Sequence, residues 1–240
     1  MKPFPHRFCP RFFCLWLGLW LVLPAPPTAA GPLAERFAVH ALGFKVGELH
    51  LAGTLETRRY TVTSQFHTTG LAGALARVRF SMKAGGRRDG ATFHPAFYVE
   101  DMDTGRRESR ARLDFSGPLV AAGVAAPIGP DALRDVVDPL TAILMVLRDH
   151  PSPPDCTLRQ RVFDGERLTE LQLTRRDTAD DMLSCGGSFR RLAGYPARDM
   201  ARWPEFPLRI DYTPDPATGY HRATRIQVQT IYGPATLVRR

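Results

Sequence analysis

Polar and apolar side chains alternate with a period of two through most of this chain, the mark of strands with one buried face. Tyr60, Val62, Phe66 and Thr68 fall on one side, and Arg59, Thr61, Thr63, Gln65 and His67 on the other. Val78, Phe80 and Met82 alternate with Arg77, Arg79, Ser81 and Lys83, and Arg107, Ala111, Leu113 and Phe115 with Arg106, Glu108, Arg110, Arg112 and Asp114. Further on, Leu208, Ile210 and Tyr212 alternate with Arg209 and Asp211, and Ile226, Val228 and Tyr232 with Arg225, Gln227 and Gln229. Turn residues punctuate these runs at Gly85-Gly86, Asp89-Gly90, Thr104-Gly105, Asp164-Gly165 and Pro214-Asp215-Pro216 with Gly219. The pattern predicts a mainly β fold: a curved antiparallel sheet or open half-barrel of about eleven strands, built as a meander.

One helix breaks the pattern, near 138–149. Asp138 is a good N-cap and Pro139 suits the first helical position. Leu140, Ile143, Leu144 and Leu147 then form one apolar stripe, Arg148 and His150 stand where the helix dipole favours cations, and Pro151, Pro153 and Pro154 end the run. About six strands precede it and about five follow, so its stripe is expected to bury against the concave face of the sheet as a plug or lid. Gly70 to Ala76 offers a weaker helical turn, since glycine disfavours helix.

Residues 1–30 follow a different logic. Lys2, Arg7 and Arg11 form a basic start, Phe12 to Leu23 an apolar stretch, and Thr28-Ala29-Ala30 a small-residue cleavage site after a proline-rich break. The apolar stretch is too short for a bilayer core that takes ~20 residues. These features predict a secretory signal cleaved after Ala30, a single mainly-β domain over 31–240, and a periplasmic location, with membrane contact confined to export. Cleavage changes two bulk properties. The net charge of +8 belongs to 32 basic and 24 acidic residues, and loss of three cations leaves 29 against 24, or +5. These charges are spread and form no basic stripe, so nucleic acid is not indicated. Cys9 and Cys14 depart with the signal, and the remaining Cys156 and Cys185 are expected to form one disulfide, as suits an oxidising compartment.

The segments Gly43-Phe44-Lys45-Val46-Gly47-Glu48-Leu49, His94-Pro95-Ala96-Phe97-Tyr98, Asp138-Pro139-Leu140-Thr141 and Val162-Phe163-Asp164-Gly165 stand in an order that resembles the bacterial domain-of-unknown-function family numbered 3108. The resemblance runs from about Phe37 to the end. It implies an exported, mainly β protein of Gram-negative bacteria and transfers no catalytic residues.

No motif for chemistry stands out. His40, His50, His67, His94, His150 and His221 form no close metal pair, Ser184 lacks a nucleophile frame, and Gly186-Gly187 lacks a phosphate-loop lysine, so no metal or other cofactor is indicated. Glu100, Asp101 and Asp103 lie at a hairpin end beside Arg106 and Arg107, where a solvated turn accounts for them. Asp164-Gly165 suits a two-residue type I′ hairpin. The preferred reading is a non-catalytic binding or carrier-like module for an apolar or lipidic ligand or envelope component. Its candidate ligand-facing residues are Phe66, Phe80, Tyr98, Phe115, Leu144 and Asp164. The alternative is a structural or protein-interaction module of the envelope with a packed core. A hydrolase would need Asp101, Asp103 and a histidine to converge. Intact-mass measurement of the exported protein should give a chain beginning at Gly31; a full-length mass would overturn the cleavage site.

Overall fold

The computed structural model describes residues 31–70, 73, 77–105, 108–122 and 127–240. The signal, its cleavage site and most of the Gly70–Ala76 turn lie outside them. The fold is mainly β, with twelve strands in one antiparallel sheet that curves without closing. In chain order they are β1 (Gly31–Ala41), β2 (Phe44–Leu55), β3 (Arg59–Thr68), β4 (Arg79–Asp89), β5 (Thr92–Asp103), β6 (Glu108–Asp114), β7 (Arg159–Phe163), β8 (Leu168–Ala179), β9 (Met182–Ala193), β10 (Glu205–Pro214), β11 (His221–Thr230) and β12 (Gly233–Arg239). In space they run β6-β5-β4-β3-β2-β1-β12-β11-β10-β9-β8-β7. Two meanders thus join where the first strand pairs with the last, and β6 and β7 become the edge strands.

Helix α1 (Pro139–Leu147) lies in the connection between those edges. It begins as its sequence dictates: the Asp138 carboxylate accepts a hydrogen bond from the Thr141 backbone N–H at 2.8 Å, and Pro139 opens the first turn. Leu140, Thr141, Ala142, Leu144 and Leu147 are all buried, a wider buried surface than the single stripe requires, because strands of both meanders pack around the helix. A short helix α2 (Ala197–Arg202) joins β9 to β10.

Several turns depart from expectation. Gly85-Gly86 is no reversal; β4 runs through it with a bulge opposite β5. A Cβ on Gly86 would collide with the His94 backbone oxygen, so the glycine permits close strand approach where the sheet bends. The Asp164-Gly165 hairpin is a four-residue loop, 164–167, because Asp164 N–H bonds the Arg167 oxygen while its side chain caps the loop from within. Tyr232 sits in the β11–β12 turn, not in a strand, and stands 84% exposed. On β10 a shift at Asp211/Tyr212 breaks the alternation and buries both residues.

Cys156 and Cys185 are joined by a disulfide, with Cα atoms 5.2 Å apart. It fastens the segment after α1 to β9, and Cys156 has a φ of 61°, in the left-handed region that L-residues rarely adopt. Both sulfurs belong to buried residues. Reduction of the unfolded chain followed by refolding, or the Cys156→Ala/Cys185→Ala pair, should lower stability in urea by ~3 kcal/mol. An unchanged midpoint would show that the bridge is dispensable.

Candidate functional site

Where the two sheet edges fail to meet, the structure leaves a cavity of about 800 Å³. Its floor comes from period-two positions on the inner faces of β4, β5 and β6: Phe80, Met82, Met102, Ala111 and Leu113. Val120, Ala122 and Pro139 line it from the chain that crosses toward α1, and Asp164 to Arg167 close the far side. Two smaller hollows adjoin it. One of about 190 Å³ shares Pro139, Asp164 and Arg167 and continues along α1 to Thr169, Phe189 and Tyr195. The next, about 330 Å³, shares Thr169, Phe189 and Tyr195 and ends at Ile231 and Tyr232. Together they form one groove across the concave side, apolar along its floor and bordered by charged side chains near β6 and the 164–167 loop.

Polar and charged groups share the main cavity's lining with the apolar floor: Glu100, Ser109, Arg110, Arg112, Glu166 and Arg167 all border it. Glu100 accepts a 2.6 Å hydrogen bond from the Tyr98 hydroxyl, whose burial pushes its pKa far above the usual tyrosine range. Asp164 spends one carboxylate oxygen on the backbone N–H groups of Glu166 and Arg167, at 2.9 and 2.7 Å. Tyr195 lies between Arg167 and Arg191, whose guanidinium carbons are 5.6 and 4.6 Å from its ring centre. The turns above this end of the sheet carry exposed apolar residues. Leu42, Phe44, Ile231 and Tyr232 are adjacent there, since Leu42 N–H bonds the Pro234 oxygen across β1 and β12, and Phe44 is 76% exposed.

Beneath the groove the N-terminal turn of α1 carries a buried polar chain. Tyr60 donates to the Thr141 hydroxyl at 2.8 Å, and Thr141 donates to Asp138 at 2.6 Å. Asp138 is fully buried, and burial pushes its carboxyl up to about 6 against the pull of the Thr141 bonds.

The expected ligand-facing residues divide. Phe80 and Asp164 line the groove. Phe66 stacks on Phe80 with ring centres 4.9 Å apart and backs it. Tyr98 and Leu144 are wholly buried in the core, and Phe115 packs against that core from just beyond β6. Met82, Glu100, Met102 and Arg167 also line the cavity. The strand alternation places Met82 on an apolar face, but nothing in it distinguishes lining a cavity from filling a core. Asp101 and Asp103 point outward to Arg110 and Arg79, at 3.4 and 3.6 Å. Among the described residues, no group of three His, Cys, Asp or Glu could hold a metal ion, and no helix is long and apolar enough to cross a membrane.

A family described as "Protein of unknown function (DUF3108)" matches residues 36–190, which takes in the helix, the cavity floor and the 164–167 loop. No curated protein and no solved structure matches the chain.

The buried carboxyl makes a signed prediction. Between about pH 4 and 6 the folded chain keeps a proton on Asp138 that the unfolded chain has released, so this contribution is present below that window and lost as pH rises through it. His150, which burial and Arg148 push down to about 4, acts oppositely: its contribution is present above 6.5 and lost as pH falls toward 4. Asp138→Asn keeps the cap and removes the first effect. Its stability should therefore climb more steeply than the parent's between pH 4 and 6.5, by up to about 3 kcal/mol. Parallel urea-derived curves would contradict a buried, titrating Asp138.

Proposed function

The chain belongs to the DUF3108 family, and from that premise we propose that it is an exported, non-catalytic binding or carrier module for an apolar or lipidic ligand, working in the periplasm. One observation carries the reading: the cavity of about 800 Å³ between the two end strands of the sheet, with its apolar floor. Its size is that of small-molecule sites, which run to about 300–1,000 Å³ and combine apolar walls with a few polar groups. An acyl chain laid on Phe80, Met82, Met102 and Leu113 would gain ~0.8 kcal/mol for each buried methylene. The groove reaches the exposed turn at Ile231 and Tyr232, so an apolar ligand has a short path in and out. Export is supported by the basic, apolar and small-residue order of residues 1–30, and an oxidising compartment by the disulfide.

A second reading has its own support. Tyr60, Tyr98 and Tyr212 are fully buried, and α1 packs into the concavity with Leu140, Leu144 and Leu147 buried, as a structural or interaction module of the envelope would require. Native mass spectrometry of protein purified from its own periplasm, with titration of a fluorescent fatty-acid probe, separates the two. Bound lipid and probe binding are expected, and Ala111→Trp, which fills the cavity floor, should weaken the probe about tenfold or more without loss of the folded circular-dichroism signal. Absence of both co-purified lipid and probe binding would sink the carrier reading in favour of the packed module.

A further inference from the structure

At the opposite end of α1 lies a second cavity, of about 560 Å³, which shares no lining residue with the groove. Its wall is polar. Arg88 enters from the end of β4, Arg148 from the residue that caps α1, and Thr57 and Tyr220 bring hydroxyls from the neighbouring turns. Three carboxylates also line it, but two are engaged: Glu35 pairs with Arg239, and Asp149 with Arg222 at 2.9 Å. Glu56 is left against two arginines that have no carboxylate within ion-pair reach among the described residues.

Both guanidiniums are poorly satisfied. Arg148 Nε is shielded from solvent and has no hydrogen-bond partner, and its Nη1 reaches only the Asp149 main-chain oxygen, at 3.4 Å. Burial lowers its pKa, and the nearby Arg88 lowers it further. Arg88 spends Nε and Nη2 on a single acceptor, the Gly90 oxygen, at 3.2 and 2.9 Å. A half-buried cation pressed against a like charge is costly unless an anion joins them. Guanidinium forks match the oxygens of a phosphate, and two of them suit a dianion. The cavity is larger than a bare phosphate ion needs, which leaves room for an organic remainder.

We propose that Arg88 and Arg148, with the Thr57 and Tyr220 hydroxyls, form a binding site for a dianionic phosphate group, carried by free phosphate, a small phosphomonoester or a lipid headgroup. The site is independent of the apolar groove. Titration calorimetry with inorganic phosphate at constant ionic strength, with chloride as reference, is the direct test. A second arm measures binding to phosphatidylcholine vesicles with and without phosphatidic acid. Phosphate should bind, and Arg148→Met should weaken it about tenfold or more, since it removes a charge-assisted contact. The same variant should melt at a higher temperature than the parent in phosphate-free buffer, because an unpaired buried charge has gone. Arg88→Gln supplies the same affinity loss should Arg148→Met fail to fold. Vesicle binding that needs phosphatidic acid and Arg148, without binding of free phosphate, would assign the site to a lipid headgroup. Phosphate and vesicle responses that are both unaffected by either substitution, or absent altogether, would overturn it.

Discussion

An open sheet of twelve strands has an apolar concave face that nothing in the sheet itself can cover, and α1 is the cover. Its position is fixed by hydrogen bonds at both ends. Tyr60 reaches up from β3 to Thr141 and through it to Asp138, while Tyr212 donates from β10 to the Val146 oxygen at 2.9 Å. The two tyrosines stand on different meanders, so the helix clamps the halves of the sheet together. A buried hydroxyl without a partner would cost ~1–3 kcal/mol, which makes these contacts as much a demand for register as a source of stability. Asp138 bears the strain of the arrangement: it must cap the helix as an acceptor in a place that resists its charge.

The second fastening is at the seam between β1 and β12. Arg239 pairs with Glu35 across that seam, donates to the Ala223 oxygen at 2.8 Å and to the Leu147 oxygen at 3.3 Å, and lies over the Phe37 ring. One side chain therefore joins the first strand, the last two strands and the end of α1. With seam and helix both fastened, the gap between β6 and β7 is where the sheet stays open. The outer edge of β7 is protected, since Val137 N–H bonds the Arg161 oxygen and Phe163 N–H bonds the Val137 oxygen, at 3.0 and 2.9 Å. The inner side of β6 faces the groove instead. The groove is thus a consequence of topology: an uneven contest between a short helix and a long curved sheet, in which the helix covers the middle and leaves one border open.

Most of the fold was legible because it follows local chemistry. Asp138-Pro139 started the helix where such a pair should, and the alternation of Tyr60, Val62 and Phe66 or of Phe80 and Met82 gave faces that the structure keeps. Local chemistry also misled. Gly85-Gly86 has the composition of a turn, yet β3 and β5 hold it in line and it becomes a bulge. Asp164-Gly165 has the sequence of a two-residue hairpin, yet the carboxylate finds two backbone donors in a longer loop. The sites were less legible because they are made of distances between remote segments. Phe80 and Asp164 meet across a gap that no spacing encodes, and Arg88 and Arg148 share a cavity because the C-terminal end of α1 comes beside the end of β4.

The exposed turns at the groove's end bear on whether that gap is a mere packing residue. Leu42 has a φ of 51°, a conformation that glycine or asparagine would take at less cost, and it presents its side chain to solvent. Phe44, Ile231 and Tyr232 stand beside it in water although the flanking strands offer buried faces. Backbone strain and exposed apolar area both oppose stability, and a turn selected for folding alone would shed them. Their concentration where the groove reaches the surface therefore connects the two features. The groove's lining thus continues through Ile231 and Tyr232 into a contiguous exposed apolar rim with Leu42 and Phe44, a feature single scattered surface residues do not make.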